Sequence, residues 1–145
     1  MKTLKTEIII NASAKTVWNI LMDFEAYSNW NPFITKILGE PQVNNSIEAH
    51  LKNGKGKEMK FKPVVLQNQP QKEFRWKGKL GFGGIFDGEH YFKLESIEEG
   101  KCRFIHGENF SGILVKPLLK MVGEDTLAGF NSMNQALKNK AENQK

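Results

Sequence analysis

The sequence predicts an α+β protein: a curved antiparallel sheet of about seven strands wrapped around one long C-terminal helix, with two short helices after the first strand. Three observations predict it. Apolar residues alternate with charged ones from Phe33 to Ser111, broken by turn dipeptides. From 116 to 141 the apolar steps lengthen to three and four residues. Between the first strand and Pro32 the spacing is helical again. A sheet with one apolar face and a single large helix buries that face by curling around the helix. Such a wrap commonly leaves a cavity, although a fully packed core reads much the same.

Each element follows from its residues. "TLKTEIII" at 3–10 alternates, with Leu4, Ile8 and Ile10 on one face. In "NASAKTVWNILMD", Ser13 is a natural N-cap, and Val17, Trp18, Leu21 and Met22 have helical spacing. Trp18 is expected in the core. A second short helix over about 23–29 ends at "NWNPF", where Pro32 biases Asn31 to an extended conformation.

The strands are separated by "NN" at 44–45, "NG" at 53–54, "NQPQ" at 68–71, "GFGG" at 81–84 and "EEGK" at 98–101. Met59, Phe61, Pro63 and Val65 share one face, with Pro63 marking a bulge or edge. Phe74, Trp76, Gly78 and Leu80 oppose Arg75, Lys77 and Lys79, and His90, Phe92 and Leu94 oppose Glu89, Tyr91, Lys93 and Glu95. One buried and one solvated face fits this pattern. His50, opposite Ile47, Ala49 and Leu51, is expected in solvent.

The last helix carries Leu118, Leu119, Val122, Leu127, Phe130, Met133 and Leu137. Gly123 and Gly129 inside it each cost about 1 kcal/mol relative to alanine, which suggests a kink or close packing. The tail from about 140 to 145 is expected to fray, and residues 1–145 to form one domain.

Composition narrows the class of function. A hydrophobic fraction of 39% and a charged fraction of 26% suit a soluble globular protein. The net charge of +5 is scattered, with "KNGKGKEMKFK" at 52–62 its densest run, so neither nucleic acid nor an integral membrane association is expected. One cysteine, Cys102, excludes an internal disulfide and a thiolate cluster. The opening "MKTLKTEIIINAS" has too short an apolar run for a signal core or a membrane span, so the expected address is cytoplasmic.

The element order, "ASAKTVWNILMDFEAYSNWNPFI" and "HGENFSGILVKPLL" together resemble the SRPBCC (START-related) superfamily, and within it the bacterial polyketide cyclase/dehydrase-like branch. The pattern Ser/Ala-x-x-Val-Trp, then Asp-Phe, then Trp-Asn-Pro carries the resemblance, which spans essentially the whole chain. It implies a helix-grip fold enclosing a pocket for apolar or aromatic small molecules, lipids, hormones or polyketide intermediates. It implies no fixed catalytic residue set, because members place different residues in the pocket.

The candidate residues follow from parity. If 90–97 and 102–110 form a hairpin around Glu99-Gly100, His90 lies opposite Glu108 in one register and diagonal to it in another. A carboxylate in an apolar cavity must find a partner or take up a proton. The pair could orient a ligand, serve as acid and base, or form a buried polar pair. His106, Phe92 and Phe110 share the inward parity.

Trp30 and Phe33 lie where the second helix meets the sheet, as core or pocket rim; Trp76 faces the same choice. Phe61, Leu118, Val122, Phe130 and Met133 complete the expected ligand-facing set, Asn134 could also face the sheet, and methionine suits irregular apolar ligands. "GFGGIFDG" at 81–88 lacks the ending of a phosphate loop and does not open a helix, so Phe86 is assigned to a mobile flap or lid. His106, Glu108 and His90 match no metal-site spacing, and Ser111 with His106 matches no hydrolase pattern; no metal and no cofactor is expected.

The expected function is binding of a small apolar or aromatic molecule under the long helix. The alternatives are a cyclase or dehydratase using Glu108 and His90, and a protein-interaction module like the chaperone-ATPase activators of the same superfamily.

Overall fold

The computed structural model describes residues 2–54, 56–79 and 83–144. Strand β1 (Lys2–Ile10) leads into helix α1 (Ala14–Met22), a 3₁₀ turn (Phe24–Ala26) and helix α2 (Tyr27–Trp30). Then come β2 (Ile34–Leu38), β3 (Glu48–Lys52), β4 (Glu58–Phe61), β5 (Val64–Gln69), β6 (Glu73–Lys79), β7 (Asp87–Glu98) and β8 (Lys101–Ser111). Helix α3 (Val115–Glu142) closes the chain.

The strands pair antiparallel in the orders β1-β8-β7-β6-β5 and β2-β3-β4. A bridge from Ser46 to Val64 and backbone hydrogen bonds from Ile47 N to Pro63 O and from Val65 N to Asn45 O join the two sets. The result is the expected helix-grip architecture, with eight strands among the described residues in place of about seven. The difference arises at Pro63. A proline has no N–H for the ladder, and the apolar run 59–65 divides there into β4 and β5.

Local chemistry explains the ends of the elements. Ser13 Oγ accepts a hydrogen bond from Thr16 N at 3.1 Å, capping α1 and turning Val17, Trp18, Ile20 and Leu21 into the core. Asn31 is extended before Pro32, and its Oδ1 accepts from both Phe33 N and Ile34 N at 2.9 Å. That side-chain turn fixes where Phe33 enters the interior. The β7–β8 hairpin turns at Glu99-Gly100, where Gly100 adopts φ +73°, a conformation that favours glycine.

α3 lies against β1 and β8. It outlasts the expected onset of fraying at about 140, because Ala141 is fully buried and the Glu142 carboxylate accepts from Asn11 N and Lys138 Nζ. Gly129 is a close-packing position: a Cβ there would collide with the Phe33 ring. At Gly123 a Cβ would meet nothing within 4 Å, so close packing does not account for that glycine. Cys102 is buried in the core, and burial pushes its thiol up to about 11.

Candidate functional site

Register sets the site. His90 pairs with Glu108 across β7 and β8, Trp76 with His90 across β6 and β7, and Thr6 with His106 across β1 and β8. Of the two hairpin registers parity allows, the observed one brings His90 directly beside Glu108. His90 Nδ1 lies 3.2 Å from Glu108 Oε1. His90 Nε2 lies 2.8 Å from His106 Nε2, and His106 Nδ1 lies 2.9 Å from Asn134 Oδ1 on α3. Asn134 Nδ2 donates to Thr6 Oγ1 at 2.8 Å, and Thr6 Oγ1 donates to the His106 carbonyl at 3.0 Å. A continuous hydrogen-bonded chain thus runs from Glu108 through two imidazoles and an amide back to β1.

The chain is packed in aromatic rings. His90 stacks on Trp76 at 5.0 Å, and His106 stacks on Phe130 at 4.2 Å. His90 is 2% exposed, and His106 and Asn134 are 0% and 1% exposed. Burial, and next the neighbouring His90, hold the His106 imidazole well below its usual range. The hydrogen bonds to Asn134 and to the Phe130 backbone work against that shift without cancelling it. Gly88 leaves room for the Glu108 carboxylate; a Cβ at that position would collide with it.

Glu108 and His90 form part of the wall of a cavity of about 240 Å³ between the sheet and α3. Of the residues expected from sequence, Phe33, Phe61, Trp76, Phe86, Phe110 and Val122 also line it. The others lie elsewhere. Phe92, His106, Phe130 and Met133 are fully buried in or behind the core, beyond the cavity wall. Trp30 packs against Tyr27 at 5.3 Å, and it is Leu119, not Leu118, that turns toward the space.

Sequence reasoning missed two features. Ala49, Leu51, Met59 and Pro63 also form the wall, and their shared parity on neighbouring strands was the available signal. Thr6 went unremarked although it sits between Leu4 and Ile8 on the inward face of β1.

The rim is closed in part by a contact between the β3–β4 turn and α3: Gly54 N donates to Asp125 Oδ2 at 2.9 Å. Residues Gly84 and Ile85 accept backbone hydrogen bonds from Ile113 N and Leu114 N, which holds this part of the glycine-rich segment against the start of α3. Leu80, Gly81 and Phe82 of that segment, and Lys55 of the basic run, lie outside the described residues.

His50 departs from expectation. It is on the outer face, as parity requires, yet only 8% exposed, because Glu48 and Glu58 fold over it. Its Nε2 lies 2.8 Å from Glu48 Oε2 and its Nδ1 2.7 Å from Glu58 Oε1. These hydrogen bonds, Glu48 first, raise the imidazole above its usual value and lower both carboxyls. Among the described residues, no group of three or more His, Cys, Asp or Glu is arranged to hold a metal ion. Behind the cavity wall this has a geometric reason: His90 Nε2 and His106 Nε2 point at each other at 2.8 Å, leaving no room for a metal between them.

The model of the family described as polyketide cyclase / dehydrase and lipid transport matches residues 1–142. The chain belongs to this family. The chain is similar to a START-superfamily protein from Mycobacterium smegmatis, with 20% identity, a TM-score of 0.75 and 99% of each chain covered. It is similar to the Zhui aromatase/cyclase from Streptomyces sp. R1128 at 14% identity and a TM-score of 0.78, covering 99% of this chain and 94% of that one. It also matches half of the di-domain ARO/CYC StfQ of the steffimycin biosynthetic pathway, with 12% identity, a TM-score of 0.77, and 98% and 51% coverage. Identities this low establish the fold alone. No curated protein matches the chain.

Proposed function

We infer that this protein binds a small apolar or aromatic molecule in the cavity between its sheet and α3. The observation that carries the reading is the composition of that wall: Phe33, Phe61, Trp76, Phe110 and Leu119 surround a space of about 240 Å³, with Glu108 and His90 as a polar pair on the sheet side and Lys52, Asn53, Lys79, Asp125 and Thr126 also in the lining. A small set of polar groups in an apolar cavity is the usual make-up of a ligand site. Burying about 200 Å² of ligand surface at about 25 cal/mol per Å² gives roughly 5 kcal/mol before the entropic cost of association. The polar pair then decides which apolar molecule stays and how it is turned.

The family's description, which spans cyclases and lipid transport, agrees with such a ligand. Among the described residues no helix is long and apolar enough to cross a membrane. A cytoplasmic address is part of this proposal. A cavity of this size weighs against the interaction-module reading, which calls for a filled core.

Trp76 lies in the wall, so its fluorescence reports occupancy. Titration with naphthalene should quench it saturably. Val122, 44% exposed at the rim, can be changed without opening the core. Val122→Trp should fill the mouth and weaken binding at least about tenfold. Equal affinity in the two proteins would overturn the assignment of the cavity.

A second reading, a cyclase or dehydratase, is favoured by the contact of Glu108 with His90 at the cavity wall. It requires that Glu108→Gln abolish turnover while ligand affinity changes only mildly; turnover that survives the substitution removes it.

A further inference from the structure

The hydrogen-bond chain behind the cavity has a direction, and a backbone carbonyl sets it. Thr6 Oγ1 lies 3.0 Å from the His106 carbonyl oxygen, which can only accept, so the Thr6 hydroxyl donates there. Its one proton is then committed. At the 2.8 Å contact with Asn134 the hydroxyl oxygen must accept and Asn134 Nδ2 donate. This turns the amide so that Oδ1 faces His106 Nδ1 at 2.9 Å. An amide oxygen accepts, so His106 carries its proton on Nδ1.

His106 is fully buried and stacked on Phe130, an environment that keeps an imidazole neutral. Its Nε2 is therefore a bare acceptor, and His90 Nε2, 2.8 Å away, donates to it. The other nitrogen of His90, Nδ1, faces Glu108 Oε1 at 3.2 Å, and a hydrogen bond there needs one proton on one of the two atoms. With that proton on His90 the pair is imidazolium and carboxylate; with it on Glu108 the pair is imidazole and carboxylic acid. Both forms are neutral overall. The reverse direction would protonate His90 on Nδ1 beside an ionised Glu108, leaving a net negative charge on the pair.

We propose that Thr6 and Asn134 are positioning residues which, acting through His106, hold the His90–Glu108 pair with one shared proton and no net charge, so that the pair favours neutral ligands bearing a phenolic or enolic hydroxyl over ammonium ions. The hydroxyl of such a ligand donates to Glu108, while an ammonium ion beside the pair would lose its hydration against two groups with no net charge to replace it. The ligand class rests on the binding reading above; the tautomers do not.

The test has two arms. Long-range ¹H–¹⁵N correlation spectra of histidine-labelled protein report which ring nitrogen carries the proton. Wild type should show His106 protonated on Nδ1 with Nε2 bare. Thr6→Val removes the committing hydroxyl at nearly constant shape and should shift His106 toward a mixture of tautomers. An Nε2-protonated His106 in the wild type, or an unchanged spectrum in Thr6→Val, overturns the proposal.

The second arm compares naphthalene, 2-naphthol and 2-naphthylmethylamine, the last a cation at neutral pH. The wild type should bind 2-naphthol about tenfold more tightly than naphthalene, as for a hydrogen bond to a charged group. It should bind the amine no more tightly than naphthalene, and Thr6→Val should erase most of the hydroxyl preference while naphthalene affinity holds. Tighter binding of the amine overturns the proposal. A protein that binds none of the three defeats the ligand-binding reading, and the ligand class with it, while the spectra still decide the direction of the chain.

Discussion

His90 Nε2 and His106 Nε2 face each other at 2.8 Å across two paired strands, and neither ring is more than 2% exposed. Two imidazoles this close and this dry cannot both be charged, since burial and like-charge repulsion both disfavour the second proton. The contact therefore ties the polarity of the cavity wall to residues as far away as β1 and α3.

Asn134 is the joint in that chain. Asn134→Ala leaves the His106 ring and the Thr6 hydroxyl short of a partner in a dry interior. Urea denaturation should show a loss of about 2 kcal/mol, the usual cost of stranding buried polar groups. A change below about 0.5 kcal/mol would show that the chain contributes nothing to the fold.

How much of this was legible beforehand follows from which interactions are local. Strand parity placed His90 beside Glu108 and put Met59, Phe61 and Pro63 on one face, because a period of two survives without tertiary knowledge. The Ser13 cap and the final helix were equally plain. The His106–Asn134–Thr6 connection was not, since Asn134 is 28 residues from His106 and 128 from Thr6. Nor could spacing choose between Leu118 and Leu119: they are adjacent apolar residues, and only the rotation of α3 against the sheet decides. The covering of His50 by two glutamates was hidden for the same reason, because parity gives the face but not what neighbouring side chains do on it.

The two glycines of α3 should respond in opposite ways. At Gly123 a methyl group meets open space, so Gly123→Ala should raise stability by roughly 0.5–1 kcal/mol through helix propensity. At Gly129 it meets the Phe33 ring, so Gly129→Ala should lower stability by about 1–3 kcal/mol through overpacking. Thermal or urea unfolding of the pair checks both signs; stabilisation by both would contradict the Phe33 contact.

His50 gives a pH signature. Its folded value is raised above 6.5 by Glu48 and Glu58, so its contribution is fully present below about 6.5 and fades as pH rises through the higher folded value. The two glutamates are lowered from 4.5, so their contribution is lost as pH falls below that range toward their folded values. His50→Gln should therefore depress Tm more at pH 5.5 than at pH 9. His106 has the opposite sign: it is lowered from 6.5, so the folded state loses ground as pH falls below about 6.5, where the unfolded ring takes up a proton. A Tm difference for His50→Gln that is flat with pH would contradict the bridge.

The Gly54–Asp125 contact spans the rim, so it should govern exchange more than equilibrium. Asp125→Ala removes a charged acceptor at an exposed position. Stopped-flow release of 2-naphthol should quicken about fivefold to tenfold, as for loss of one hydrogen bond to a charged group, with global stability changed by less than about 1 kcal/mol. Unchanged release would mean that the ligand leaves by another route.

The central claim is that the space under α3 is where a ligand sits. Isotope-edited NMR of protein saturated with 2-naphthol tests it most directly, through nuclear Overhauser contacts from ligand protons to assigned methyl groups. The account predicts contacts to Ala49, Leu51, Leu119 and Val122, all on the cavity wall. Contacts confined to exposed residues such as Ile113 and Met121, with none to that wall at saturation, would contradict it.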